Sequence, residues 1–300
     1  MAEKKTAELP SIAQLATGAW ELFKETWISY LKLVGVTVGF VFLALLIGVI
    51  ISLPVTFVAI GSGLQFFNHL TPFHIATLLL LGLWFILFFL SIIAIEVIFP
   101  IVSIFILRGK KPTPFFALIK QSRRFFLPFF LTTLLSSLLA LGGMILLVIP
   151  GLLIAFFFTF VAFEVIIDDQ MGSAALKRSY FMVKNHFWEV LGRLLVLEVA
   201  VVIISLLLKR LASGESLLML VQFLFSIFAS WYARAYVYLL YKEVRANTTF
   251  PEKISLNWIW IVSVIGWAVI ILLLVGLGVG LLHLPPMHPS HGQGIHGNAV

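Results

Sequence analysis

The chain has 300 residues, of which 61% are hydrophobic and 11% charged, less than half of the roughly 25% charge typical of a soluble domain. Its apolar residues fall in unbroken runs long enough to span a bilayer as helices, without the apolar–polar alternation of barrel strands, so a soluble globular domain and a β-barrel are both excluded. The absence of cysteine removes disulfides, thiolate metal sites and cysteine nucleophiles, and the net charge of +7 has to be read from its distribution along the chain.

Residues 1–10 read as a polar cytoplasmic tail with Lys4 and Lys5, and no short apolar run with a small-residue cleavage site follows, so no cleaved signal peptide is expected. Residues 11–26 are amphipathic: Ile12, Leu15, Ala19, Leu22 and Phe23 share one helical face, with Gln14, Glu21, Lys24 and Glu25 elsewhere. Ser11 with Gln14 three residues on forms a capping-box pair. The first apolar span follows at 33–60 and the second at 75–107. The second is longer than one crossing needs, and Glu96 with Pro100 predicts that its last two turns leave the hydrocarbon or kink. Thr113 at a cap and Pro114 at the first helical position open a second amphipathic segment, 113–126, with Lys120, Gln121, Arg123 and Arg124 on its polar face.

The third span, 127–148, turns at Ile149-Pro150-Gly151 into a fourth that ends near residue 167. Asp168-Asp169 comes next. The pair lacks the further oxygen ligands that a divalent ion requires and is expected to favour the N-terminus of the following helix. That helix is the third amphipathic segment, 173–187, with Leu176, Tyr180, Val183 and Phe187 opposed to Lys177, Arg178, Lys184 and Asn185. Spans five, six and seven read at 190–208, 217–241 and 258–282. Trp27, Trp188, Trp258 and Trp260 stand at span ends as interfacial anchors. Gly35-x3-Gly39 and Gly276-x3-Gly280 have the spacing that lets helices approach closely.

The predicted fold is therefore all-α: a polytopic transmembrane bundle of about seven spans with three amphipathic interfacial helices. The segments resemble one another. Ala19-Trp20-x3-Lys24-x2-Trp27-Ile28 aligns with Ser179-Tyr180-x3-Lys184-x2-Phe187-Trp188, and Ala94-Ile95-Glu96-Val97-Ile98 with Ala162-Phe163-Glu164-Val165-Ile166. The unit is an interfacial helix plus a two-span hairpin, used three times over residues 11–243. A loop and an added seventh span occupy 244–283, and a His/Pro/Gly-rich disordered tail 284–300. In this arrangement 18 of the 20 Lys and Arg residues fall on one side, which places the N-terminus in the cytoplasm and the C-terminus outside, in a bacterial-type cytoplasmic membrane.

The stretch Ile149-Pro150-Gly151-Leu152-Leu153, then Phe160-Val161-Ala162-Phe163, Asp168-Asp169, Ala174-Ala175-Leu176-Lys177-Arg178-Ser179-Tyr180 and Phe187-Trp188-Glu189-Val190-Leu191-Gly192 resembles the membrane domain of the glycerophosphoryl diester phosphodiesterase family and related uncharacterised bacterial inner-membrane proteins. The similarity is clearest over 150–197. It implies a multispan helical membrane domain. The catalytic barrel fused to that domain in some relatives has no room in this chain, so the resemblance does not imply the activity.

Four ionisable residues fall within or near spans: Glu96, Glu164, Glu198 and Arg234. A bare charge at the bilayer centre costs about 2.5–3.5 kcal/mol on insertion scales, so such groups pair, line a pathway or snorkel. The repeat places Glu96 and Glu164 at equivalent positions and Arg234 near the matching one, which predicts an ion pair of Arg234 with either carboxylate. Lys120, Arg123, Arg124, Lys177, Arg178 and Lys184 are expected to face anionic headgroups. His283, His288, His291 and His296, with His69 and His74 on the same side, are candidate metal ligands, but the irregular spacing in a Pro/Gly-rich tail argues against a metal site. HExxH, GxSxG and Walker patterns are absent, so neither an enzyme nor a cofactor is expected. The basic loops are too short for nucleic-acid modules. The expected role is non-enzymatic, accessory or membrane-organising, acting on lipids, a membrane protein partner or a second copy. The alternative is a small-solute or ion transporter or channel that uses the intramembrane carboxylates.

Overall fold

The computed structural model describes residues 9–62, 72–109, 115–211 and 215–282. Lys4, Lys5, His69, Thr113, Pro114 and the histidines of the C-terminal tail lie outside the described residues. The described residues form nine helices and no strand: α1 (Ile12–Ser62), α2 (Pro72–Arg108), α3 (Phe115–Leu146), α4 (Val148–Phe157), α5 (Val161–Ile167), α6 (Ser173–Asn185), α7 (Phe187–Leu211), α8 (Glu215–Asn247) and α9 (Asn257–Leu282). Among the described residues, seven stretches are long and apolar enough to cross a membrane, at Ile12–Leu53, Leu78–Arg108, Ala117–Leu146, Val148–Ile167, Phe187–Arg210, Leu218–Asn247 and Asn257–Gly276. Phe42, Leu79, Ile149 and Leu272 are each more than 60% exposed, and many neighbouring apolar side chains are exposed with them, which is the surface of a lipid-soluble bundle.

The amphipathic segments are built differently from the sequence pattern. Residues 12–26 and 115–126 run without a break into α1 and α3, because no Gly or Pro interrupts the chain between Thr26 and Leu33, and α3 continues through Pro128. Only α6 stands alone. It ends at His186, whose backbone N–H donates to the Met182 carbonyl, and α7 starts at the next residue. The Ser11 box is present: the Ser11 N–H donates to Gln14 Oε1 at 2.9 Å, and the Gln14 N–H to Ser11 Oγ at 3.2 Å. The surplus length of the second apolar run has a packing cause. α2 stays helical through Pro100, and Ile101, Val102 and Ser103 beyond it are fully buried, so its last turns are covered by protein.

The chain divides into two units, residues 1–137 with 155–255, and residues 138–154 with 256–300. In the first, α1 packs on α2 and α8, α7 on α8, and α5 on α6 and α2. Tyr30 stacks on Trp231 with ring centres 4.2 Å apart, and the Trp231 indole N–H donates to Thr26 Oγ1 at 3.1 Å. Trp84 donates its indole N–H to the Ala44 carbonyl at 3.2 Å, tying α2 to α1. In the second unit, Ser263 Oγ donates to the Leu139 carbonyl at 2.7 Å and the Trp267 indole N–H to Leu138 at 3.0 Å. The backbones there meet so closely that a Cβ on Gly266 would collide with the Gly142 carbonyl. Three of the spaced glycines singled out by sequence are not packing positions: a Cβ on Gly35, Gly39 or Gly276 would meet nothing within 4 Å.

Candidate functional site: a buried ion cluster beside a basic cleft

Span four is not one helix. Between α4 and α5 the chain makes short i→i+3 bonds, from the Phe158 N–H to Ala155 (3.2 Å), Thr159 to Phe156 (3.2 Å) and Val161 to Phe158 (3.1 Å). A break of this kind at membrane depth needs protein partners for its freed backbone groups. Ser179 of α6 supplies them: its hydroxyl donates to the Phe157 carbonyl at 2.8 Å and accepts the Phe160 N–H at 3.2 Å. Ser179 is fully buried.

The break restarts the helix with Glu164 in the first turn of α5, and Asp168 closes that helix. Asp169 and Gly172, with φ of 57° and 54°, then reverse the chain. The Gly172 N–H is held by Thr132 Oγ1 at 2.8 Å, and α6 folds back over α5. This brings Arg178 across both acids. Its Nε lies 2.7 Å from Glu164 Oε2 and its Nη2 2.8 Å from Asp168 Oδ2. From α8, Arg245 Nε donates to Asp168 Oδ2 at 2.7 Å, and Tyr241, four residues earlier on the same face, donates its hydroxyl to Glu164 Oε1 at 3.1 Å. The Phe250 ring carries both guanidiniums, with their carbons 4.4 and 4.8 Å from its centre. Glu164 is fully buried, whereas Asp168, Arg178 and Arg245 are partly exposed. Two carboxylates meet two guanidiniums, so the cluster is neutral.

Beside it opens a cleft of about 370 Å³. Arg178 and Phe250 border it from the cluster, with Lys177, Glu252 and Lys253 alongside, and Ala174 from the first turn of α6 completes one wall. Since Arg178 is neutralised behind the cleft, Lys177 and Lys253 against Glu252 leave one positive charge uncommitted. The first turn of α6 has no side-chain cap, and a helix N-terminus adds positive potential. The arrangement suits a phosphate-sized anion.

Several expected roles are corrected. Glu164 pairs with Arg178, not Arg234. The reason is depth: Tyr241 is level with Glu164 and Arg245 with Asp168, and Arg234 lies seven residues before Tyr241, about 10 Å farther along the helix at 1.5 Å per residue. Arg234 instead sits over the Phe99 ring, 5.2 Å from its centre, and makes no ion pair among the described residues. Glu96 acts on it only through space. Arg178 turns inward rather than toward headgroups, and Asp168 binds two arginines rather than capping α6. Lys120, Arg123, Arg124 and Lys184 are exposed, with Arg124 over the Phe125 ring and Lys184 over Tyr180. Glu198 is exposed on α7, away from the cluster. Arg193, one of the basic residues used to set topology, donates to the Leu9 and Pro10 carbonyls and anchors the start of α1.

Fold and site together define a helical membrane protein with seven candidate spans and a charge-neutral ion cluster at the ends of spans four and six. The chain belongs to the DUF7847 family, a domain of unknown function, which matches residues 125–277. The match takes in Glu164, Asp168, Arg178, Tyr241, Arg245 and Phe250 and leaves out Glu96, Lys120, Arg123 and Arg124. No curated protein and no solved structure matches the chain.

Proposed function

We propose that the protein is a non-enzymatic accessory or membrane-organising component of a bacterial-type cytoplasmic membrane. In this reading it holds the phosphate of anionic lipid headgroups in the cleft beside the ion cluster. The N-terminus is cytoplasmic and the C-terminus external, so the cleft faces the cytoplasmic leaflet, where anionic lipids attract basic groups by about 1 kcal/mol each. The observation that carries the reading is the cleft itself: Lys177 and Lys253 stand there with no ion-pair partner among the described residues, beside an arginine already neutralised. The resemblance of residues 150–197 to the membrane domain of the phosphodiesterase family supports a membrane-domain role without that family's chemistry. The transporter alternative draws less support, because Glu164 is tied to Arg178 and Tyr241.

The test is lipid retention. The protein is purified in mild detergent from vesicles of equal phosphatidylglycerol and phosphatidylcholine, and its bound lipid is quantified. Wild type is expected to enrich phosphatidylglycerol, and replacement of Lys177 and Lys253 by Gln to reduce that enrichment by about tenfold or more, two contacts of about 1 kcal/mol. Inorganic phosphate in the wash separates a lipid site from a free-phosphate site: displacement of the lipid at millimolar phosphate argues for the soluble anion. Unchanged phosphatidylglycerol enrichment in the double variant would refute the proposal.

A further inference from the structure

Glu198 lies 11 residues after Phe187 and 12 before Arg210, the ends of span five. At 1.5 Å per residue it stands about 16–18 Å from either end, close to the middle of a hydrocarbon layer roughly 30 Å thick. A glutamate side chain cannot snorkel that far. Its side chain is exposed and makes no hydrogen bond or ion pair among the described residues. Around it on α7, Leu195, Val199, Val202 and Leu206 are exposed and apolar.

The carboxylate borders a cleft of about 280 Å³ along the seam of α7 and α8, with Ser205 on its own helix and Gln222, Ser226, Ala229 and Ser230 on the other. Ser226 and Ser230 turn their hydroxyls back to Phe223 and Ile227 of their own helix, Ser230 also hydrogen-bonding the Tyr30 hydroxyl of α1, and Ala229 and Ala233 continue this strip of small residues with Phe225 beside it. Small residues at helical spacing let a further helix approach closely. A volume just under the roughly 300–1,000 Å³ of small-molecule sites suits an inserted side chain better than a solute, and Glu198 is the one ionisable residue in the lining. A negative charge at mid-depth with no partner calls for a positive one.

We propose that the α7–α8 seam is a docking groove for a transmembrane helix of another protein, one that carries a lysine or arginine at mid-membrane depth to pair with Glu198. A second copy of this chain fits less well. Gln222, the amide donor of the stripe, lies four residues inside span six, about 6 Å from its end, whereas Glu198 is about 18 Å from the adjoining end of span five. Copies related by an axis along the membrane normal would thus set Glu198 against Glu198. The groove is separate from the headgroup cleft, so either proposal can fail alone.

The experiment uses the full chain in phosphatidylcholine vesicles, with a donor dye on a cysteine introduced at the exposed Thr249; the chain has no cysteine of its own. The probes are acceptor-labelled leucine-rich transmembrane peptides that differ only in a central Arg, Leu or Glu. Energy transfer is expected to show the Arg peptide associating about tenfold more tightly than the Leu peptide with wild type. Glu198→Gln should erase that difference, and Glu198→Arg should shift the preference to the Glu peptide. Equal binding of the Arg and Leu peptides to wild type would overturn the proposal without recourse to any variant. So would an Arg preference that survives Glu198→Gln, or transfer between copies of the chain that Glu198→Gln abolishes.

Discussion

Arg178 bridges two acids that its own helix faces across a chain reversal, and one of them, Glu164, is out of contact with water. Removing one member of a buried pair leaves an uncompensated charge and typically costs about 3–5 kcal/mol, whereas removing both can be close to neutral. Arg178→Ala should therefore destabilise by about that amount, and Glu164→Gln added to it should recover a large part, as measured by thermal unfolding in detergent. Purely additive losses in the double variant would mean that the pair carries no coupling. The sequence made Glu164 conspicuous, since an acid inside an apolar run is rare, but it did not identify the partner. The repeat alignment put Arg234 near the matching position, whereas the actual partner comes from α6, whose position depends on the φ values at Asp169 and Gly172. Tyr241 and Arg245, four residues apart at the end of span six, carried a readable same-face signal. Phe250 carried none, because a lone aromatic in a loop has no periodicity to betray it.

At the scale of elements, the apolar runs alone are enough to place seven helices, because burying backbone polar groups in lipid leaves a helix as the only local solution. They do not show where a helix is interrupted by a neighbour. The fourth run is continuous in hydropathy, yet the chain breaks after Phe157 because Ser179 offers both a donor and an acceptor there. Ser179→Ala would remove the hydroxyl's bond to the Phe157 carbonyl and orphan the buried Phe160 N–H, the latter at about 1–3 kcal/mol. The expected outcome is a lowered unfolding temperature and faster amide exchange at Phe160 and Val161. Ser173→Ala, at an exposed position on the same helix, should change neither. If exchange at Phe160 were unaltered, the hydroxyl would not be what holds the break. Conversely, the continuity of the first two amphipathic segments with the spans after them was not legible, since amphipathic periodicity marks a change of surroundings and not a helix end.

For the whole molecule, the proposed orientation rests on the placement of Lys and Arg, and two positions test it. Ser62 closes the helix of span one, and Thr249 lies in the exposed segment between spans six and seven. With seven spans and a cytoplasmic N-terminus, residue 62 emerges outside and residue 249 inside, beside Lys253 and the cleft. Thr249 is the better reporter than its neighbour Thr248, which is buried and donates its hydroxyl to the Val244 carbonyl at 2.7 Å. Because the chain has no native cysteine, Ser62→Cys and Thr249→Cys each give one reactive thiol. In intact cells an impermeant maleimide should label Ser62→Cys and leave Thr249→Cys untouched until the membrane is opened. The reverse pattern would invert the orientation and turn the Lys177 and Lys253 cleft away from the cytoplasmic leaflet, removing the anionic lipid surface on which the headgroup proposal depends. Labelling of both in intact cells would instead make the number of crossings between them even, which seven spans do not allow.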